Sequence, residues 1–169
     1  MRTHARFAFP IVAVVALFAP VSAQQAAQGA AGLDARGQHV MGFDQQKTTH
    51  HFFLYDDGGA VDVSVKDPAD KTNLDAIRAH LPHIAMMFGQ GDFEAPMMVH
   101  DTKDVPGAKD LARLKDKITY AYANTPAGGR VDVVTTDKDA LAALHAFLKF
   151  QIADHKTGDK TAVTKRTGR

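Results

Sequence analysis

His50-His51-Phe52-Phe53-Leu54-Tyr55-Asp56-Asp57-Gly58-Gly59-Ala60-Val61-Asp62-Val63-Ser64-Val65-Lys66 reads as one complete β-hairpin. An aromatic run meets the turn signal Asp56-Asp57-Gly58-Gly59. Val61, Val63 and Val65 then alternate with Asp62, Ser64 and Lys66, the pattern of a strand with one buried face. With Asp57-Gly58 as the turn, residue 54 faces 61, 52 faces 63 and 50 faces 65. His50 then shares the buried face and His51 points away. A one-residue change in the loop would exchange them.

Downstream, Asp67-Pro68-Ala69-Asp70 punctuates the chain and a helix is expected to about Phe88. Leu74, Ile77, Leu81, Ile84 and Phe88 recur at three and four residues and give it a core-facing stripe. Pro82 lies inside this pattern, so a kink or a division into two shorter helices is expected there. Gly89 to Lys109 has no sustained period and reads as a long loop. A second hairpin follows over 117–136, turning at Thr125-Pro126-Ala127-Gly128-Gly129, and a second helix from about Asp137 to His155. Leu141, Leu144, Leu148 and Ile152 form its buried stripe. Gly58-Gly59-Ala60-Val61-Asp62-Val63 matches Gly128-Gly129-Arg130-Val131-Asp132-Val133. The expected fold is α+β: a four-stranded antiparallel sheet with two helices on one face, arranged as a duplicated ββα unit.

The ends carry other signals. Met1 to Ala23 has Arg2 and Arg6, an apolar run Phe7–Phe18 and the small residues Val21-Ser22-Ala23, the three parts of a cleavable signal peptide. The run is too short for a bilayer span of about 20 residues. A periplasmic or secreted location is therefore expected. Residues 24–39 read as a flexible Gln/Ala/Gly-rich lead-in, 40–156 as one domain and 157–169 as a basic, solvated tail. The leader holds two of the 20 basic and none of the 19 acidic residues, so its removal takes the net charge from +1 to −1. A near-neutral surface argues against nucleic acid as a partner. The chain has no cysteine, which excludes disulfides, thiolate metal sites, covalent c-type haem attachment and cysteine nucleophiles.

Histidine and methionine carry what chemistry the sequence offers. Imidazole suits copper, zinc and haem iron, and thioether suits Cu(I). On the first helix His80, His83 and Met87 form one stripe beside the core face, and His80 and His83 stand one turn apart. His50-His51 supplies a second cluster, of which one ring can join a given site. Ala95-Pro96-Met97-Met98-Val99-His100 supplies a third. The candidate metal ligands are thus His50, His51, His80, His83 and His100, for copper or zinc. The plainer readings are boundary histidines, a cross-strand aromatic ladder, and methionines capping the core. His145 reads as a satisfied core histidine. His155 reads as a residue at a helix carboxyl end, where the dipole favours an imidazolium.

No Gly-x-Ser-x-Gly elbow, His-Glu-x-x-His motif, P-loop or Gly-x-Gly-x-x-Gly turn is present, and Glu94 is the only glutamate. The runs Met41-Gly42-Phe43-Asp44, Thr49-His50-His51-Phe52, Gly91-Asp92-Phe93 and His145-Ala146-Phe147-Leu148 through Asp159 resemble a family of small exported bacterial proteins whose function is not established. Some of its members carry the label aspartate carbamoyltransferase. Such an enzyme is a considerably longer chain with a Ser-Thr-Arg-Thr-type phosphate motif, and this sequence has neither. Three functions are therefore expected: a periplasmic copper-type binding protein for storage, delivery or sensing; a non-covalent haem or small-ligand binder; or a partner-binding domain without cofactor.

Overall fold

The computed structural model describes residues 23–167. The expected signal peptide lies almost wholly outside the described residues. Two hairpins build the sheet: β1 (Thr48–Tyr55) with β2 (Gly58–Val65), and β3 (Ile118–Thr125) with β4 (Gly128–Thr135). All neighbours are antiparallel and the order is β1-β2-β4-β3, so the hairpins join through their second strands. The α+β class and the four-stranded antiparallel sheet are as the sequence implies.

In the first hairpin His50 pairs with Val63, Phe52 with Val61 and Leu54 with Gly59. The two-residue loop is Asp56-Asp57, and the register differs by two positions from the expected one. A shift of two leaves every side chain on its face. His50, Phe52 and Leu54 accordingly point toward the helices, and His51, Phe53 and Tyr55 lie on the other side.

The long helices are α2 (Lys71–Gly89) and α5 (Lys138–Asp154). Each begins on an aspartate cap. Asp70 accepts from the Asn73 amide, and Asp137 from those of Asp139 and Ala140, satisfying donors that the first turn leaves without partners. Pro82 does not divide α2, which runs as a single helix through it. Ile77, Leu81, Leu144 and Leu148 are all at most 4% exposed and fill the layer between helices and sheet.

The glycine pairs explain how these layers meet. A Cβ on Gly58 would stand 1.9 Å from the Val133 carbonyl oxygen, and one on Gly128 would stand 1.9 Å from that of Val63. Only glycine permits the β2–β4 approach at both ends of the seam. The second glycine of each pair admits a helix: a Cβ on Gly59 would lie 2.4 Å from Leu148 of α5, and one on Gly129 3.0 Å from Leu81 of α2. Each long helix thus sits on the hairpin from the other half of the chain. The order β-β-α occurs twice, while the remaining helices have no counterpart.

Three expectations are corrected. Residues 24–39 are not a flexible lead-in but belong to α1 (Ala23–Met41). Alanine-rich sequence favours helix, Leu33 is buried, and the Arg36 Nε donates to the Val99 carbonyl at 2.8 Å. The segment after Gly89 is not one long loop: it contains α3 (Glu94–His100) and α4 (Ala108–Arg113), held by buried Phe93, Val99, Val105 and Leu111. Aromatic contact fixes the first of these anchors, with the Phe88 and Phe93 rings 4.4 Å apart. Isolated apolar residues between short helices give too little period to be seen in sequence.

The basic tail is not simply solvated either. Asp159 accepts from the Phe52 amide and lies 2.9 Å from His51 Nδ1. Thr164 donates its amide to the Leu54 carbonyl and accepts from the Asp56 amide. Arg166 bonds Asp57, Asp132 and the carbonyls of Gly59 and Val133, with its guanidinium 4.3 Å from the Tyr55 ring centre. The tail is a strap that covers the open edge of β1.

Candidate functional site

Between the inner face of the sheet and the helices α2, α3 and α5 lies a cavity of about 90 Å3. Valines 63, 131 and 133 make its floor, and Leu81, Phe88 and Phe147 stand among its walls. Among the described residues, no Asp, Glu, Lys or Arg lines it. One end is different. There His50 from β1, His80 from α2, His100 from α3, and Gln151 and His155 from the end of α5 come together.

The rings are neighbours. His50 and His155 lie 5.4 Å apart between centres, and His100 and His155 5.0 Å apart. Phe43, which follows α1, packs on both His50 and His80 at 5.8 Å. Burial pushes the His50 imidazole down to about 3, with the neighbouring His155, His80 and His51 adding to it. His80 is pushed down to about 4 by burial and by His83, and His155 to about 4 by burial and by His100. These three rings are therefore neutral at ordinary pH and keep a lone pair available. For His155 this corrects the expectation from the helix dipole: the energy of removing a cation from water exceeds what the dipole returns.

His100 is held at both nitrogens. Its Nδ1 is 2.5 Å from the Asp154 carboxylate and its Nε2 is 2.9 Å from Gln151 Oε1. A protonated ring donates to both. In a neutral ring the carboxylate claims the Nδ1 proton, and the Gln151 amide must turn to donate to Nε2. The second arrangement also engages the Gln151 amide nitrogen, which otherwise has no partner.

Three buried polar atoms on the cavity lining lack a partner among the described residues: His50 Nε2, Gln151 Nε2 and the Tyr120 hydroxyl. Buried polar atoms are paired in most folded proteins, and an orphan costs about 1–3 kcal/mol. Burial also pushes the Tyr120 hydroxyl well above the ordinary phenol range, so it stays protonated.

Of the five histidines marked in the sequence, His50, His80 and His100 meet here. His51 and His83 do not. His51 is on the opposite face of the sheet, bound to Asp159, and His83 is exposed on α2. His145 is a satisfied structural residue whose Nε2 donates to the carbonyls of Tyr55 and Gly58. Met97 packs against the core and Met98 is 54% exposed beyond it. Sequence reasoning missed His155, Gln151 and Tyr120. The signal for two of them was present: positions 148, 151, 152 and 155 continue the spacing of the buried α5 stripe. Among the described residues no three His, Asp or Glu side chains already converge as a metal cage. Among those residues, too, no helix is long and apolar enough to cross a membrane. Comparison with family models, curated proteins and solved structures returned no match.

Proposed function

We propose that the protein binds a compact, uncharged, largely apolar molecule in this cavity, with a hydrogen-bonding group directed at the imidazole end. The observation that carries this reading is the pair of orphaned polar atoms, His50 Nε2 and the Tyr120 hydroxyl, on a lining that is apolar away from its imidazole end, with the Gln151 amide nitrogen a third while its oxygen faces His100. A ligand hydroxyl or amide would return partners to His50 and Gln151, and the apolar walls would hold the rest. Charge on the ligand is disfavoured because, among the described residues, no countercharge lines the cavity. Size points the same way. About 90 Å3 is about three-fifths of the roughly 150 Å3 of a dry cavity that accepts benzene, far too small for a macrocycle as broad as haem. Read with the leader expected at residues 1–23, the protein would carry or sense such a molecule outside the cytoplasm.

Thermal unfolding and methyl NMR shifts in the presence of propan-2-ol and 2-methylpropan-1-ol, set against acetate and 2-methylpropanoate, test the reading. The neutral probes should raise the midpoint and shift methyl signals of Val131 and Leu148, and the carboxylates should do neither. Indifference to millimolar amounts of all four probes would refute it.

A further inference from the structure

We infer that the free edge of β3 pairs with the same edge of a second copy of this chain, making one continuous antiparallel sheet across two molecules. The two hairpins differ in how their outer edges end. In the first, the strap meets the outward backbone of β1: the Phe52 amide donates to Asp159, and the Leu54 carbonyl accepts from the Thr164 amide. Phe52 pairs with Val61 and Leu54 with Gly59. The equivalent positions of the second hairpin are Tyr122, paired with Val131, and Asn124, paired with Gly129. The alternation of an antiparallel ladder adds Tyr120 and Ile118 to this outward row. Among the described residues, nothing bonds the carbonyls of these residues or the amides of Tyr120, Tyr122 and Asn124. The Ile118 amide is held by the Lys115 carbonyl. β3 also lacks the devices that keep an edge apart. From Ile118 to Thr125 it has no charge and no proline, and its register with β4 runs without a bulge.

A second copy is the occupant this edge fits. An antiparallel pairing centred on Ala121 sets Tyr120 opposite Tyr122 and Ile118 opposite Asn124, so each outward residue meets another. With the Ile118 amide already taken, about six hydrogen bonds cross the join. Thr119, Ala121 and Ala123 are small and exposed, and Ala121 faces its own copy across the two-fold axis. No like charges meet along the strand.

The helices give an independent reason. α2 lies over β3 and β4 alike: Arg78 bonds the carbonyls of Thr125 and Gly128, and a Cβ on Gly89 would lie 3.9 Å from the Tyr120 ring. Joining the edges therefore sets the two α2 helices two strand spacings apart, about 9.6 Å. Packed helices stand roughly 8–10 Å apart. Arg78, Pro82, Ala85 and Gly89 form one stripe along the side of α2 turned to this edge, and its residues nearest the axis are small. From Arg78 to Gly89 the helix advances about 16–17 Å, as β3 does from Thr125 to Tyr120. The level of Ala121 thus falls near Met86. That side chain is 50% exposed in the single chain, and at the axis it meets its copy.

The pairing goes beyond the cavity reading and holds whether or not a ligand is bound there. Sedimentation equilibrium of the full chain should give twice the mass of one molecule. Ala121→Lys and Ala121→Glu each set like charges across the axis and should weaken the dimer at least tenfold, with thermal unfolding showing that both variants fold. Mixing the two variants should restore the dimer, because opposite charges then face each other. Met86→Glu should weaken it as well, whereas Met98→Glu, exposed on α3, should not. If the Ala121 variants do not fold, hydrogen exchange of the unaltered protein decides: the amides of Tyr120, Tyr122 and Asn124 must be protected, and less so on dilution. A monomer up to millimolar concentration, or a dimer indifferent to both Ala121 variants, overturns the pairing. A monomer in which those amides are nonetheless protected overturns it too, and gives the edge to another segment of this chain.

Discussion

A backbone carbonyl cannot move aside as a leucine methyl can, and this difference ranks the glycines. Gly128→Ala sets its Cβ against the Val63 carbonyl oxygen, in the middle of the sheet. Gly59→Ala meets first the far end of the Leu148 side chain, although the Phe53 carbonyl is also only 2.8 Å away. Chemical denaturation should show Gly128→Ala destabilised by about 3 kcal/mol or more, at or beyond the upper end of overpacking costs, and Gly59→Ala by less. Equal losses would mean that the β2–β4 seam yields more easily than its geometry implies. The histidines teach a related lesson. The residue types in the site were legible, because imidazole without cysteine restricts the available metal chemistry. Which rings met was not, because His51 and His83 differ from His50 and His80 only in the face they occupy.

At the scale of elements, the strap has a measurable role. Arg166 is a part-buried guanidinium bonded to two carboxylates and two carbonyls, and its loss leaves Asp57 and Asp132 without that partner. Deleting residues 160–169 should lower the unfolding midpoint and leave the β1 edge open. An unpaired edge recruits other chains, so light scattering should report particles larger than those of the intact protein. A truncated chain with the intact protein's particle mass and midpoint would show the strap to be incidental. The hairpins and long helices were readable because their periods of two and 3.6 persist for eight residues or more. The strap was not, because its contacts are made one residue at a time across about a hundred positions. The same applies to α3 and α4, whose short length leaves the pattern incomplete.

For the whole molecule, the buried histidines set the response to acid. In the unfolded chain these rings bind protons near pH 6.5, whereas in the fold His80 and His155 do so only near 4 and His50 near 3. Between those limits the unfolded state holds more protons, so stability falls as pH drops from 6.5 toward 4 and is fully present above it. Each ring contributes up to about 1.4 kcal/mol per pH unit in that window. Denaturation of the protein at pH 7, 5.5 and 4.5 should show the decline, and His155→Phe should reduce it. A flat profile would mean that the rings are open to water.

The crossed packing of the long helices bears on how the chain can be made. The first hairpin rests mainly on α5, the last helix, with α2 covering part of β2, so its inner face is not fully covered until nearly the whole polypeptide exists. Early synthesis therefore yields a hairpin and helix whose core is incomplete, and closure of the core waits on the final third. A molecule so arranged completes its core late, and the last helix is the element that closes it.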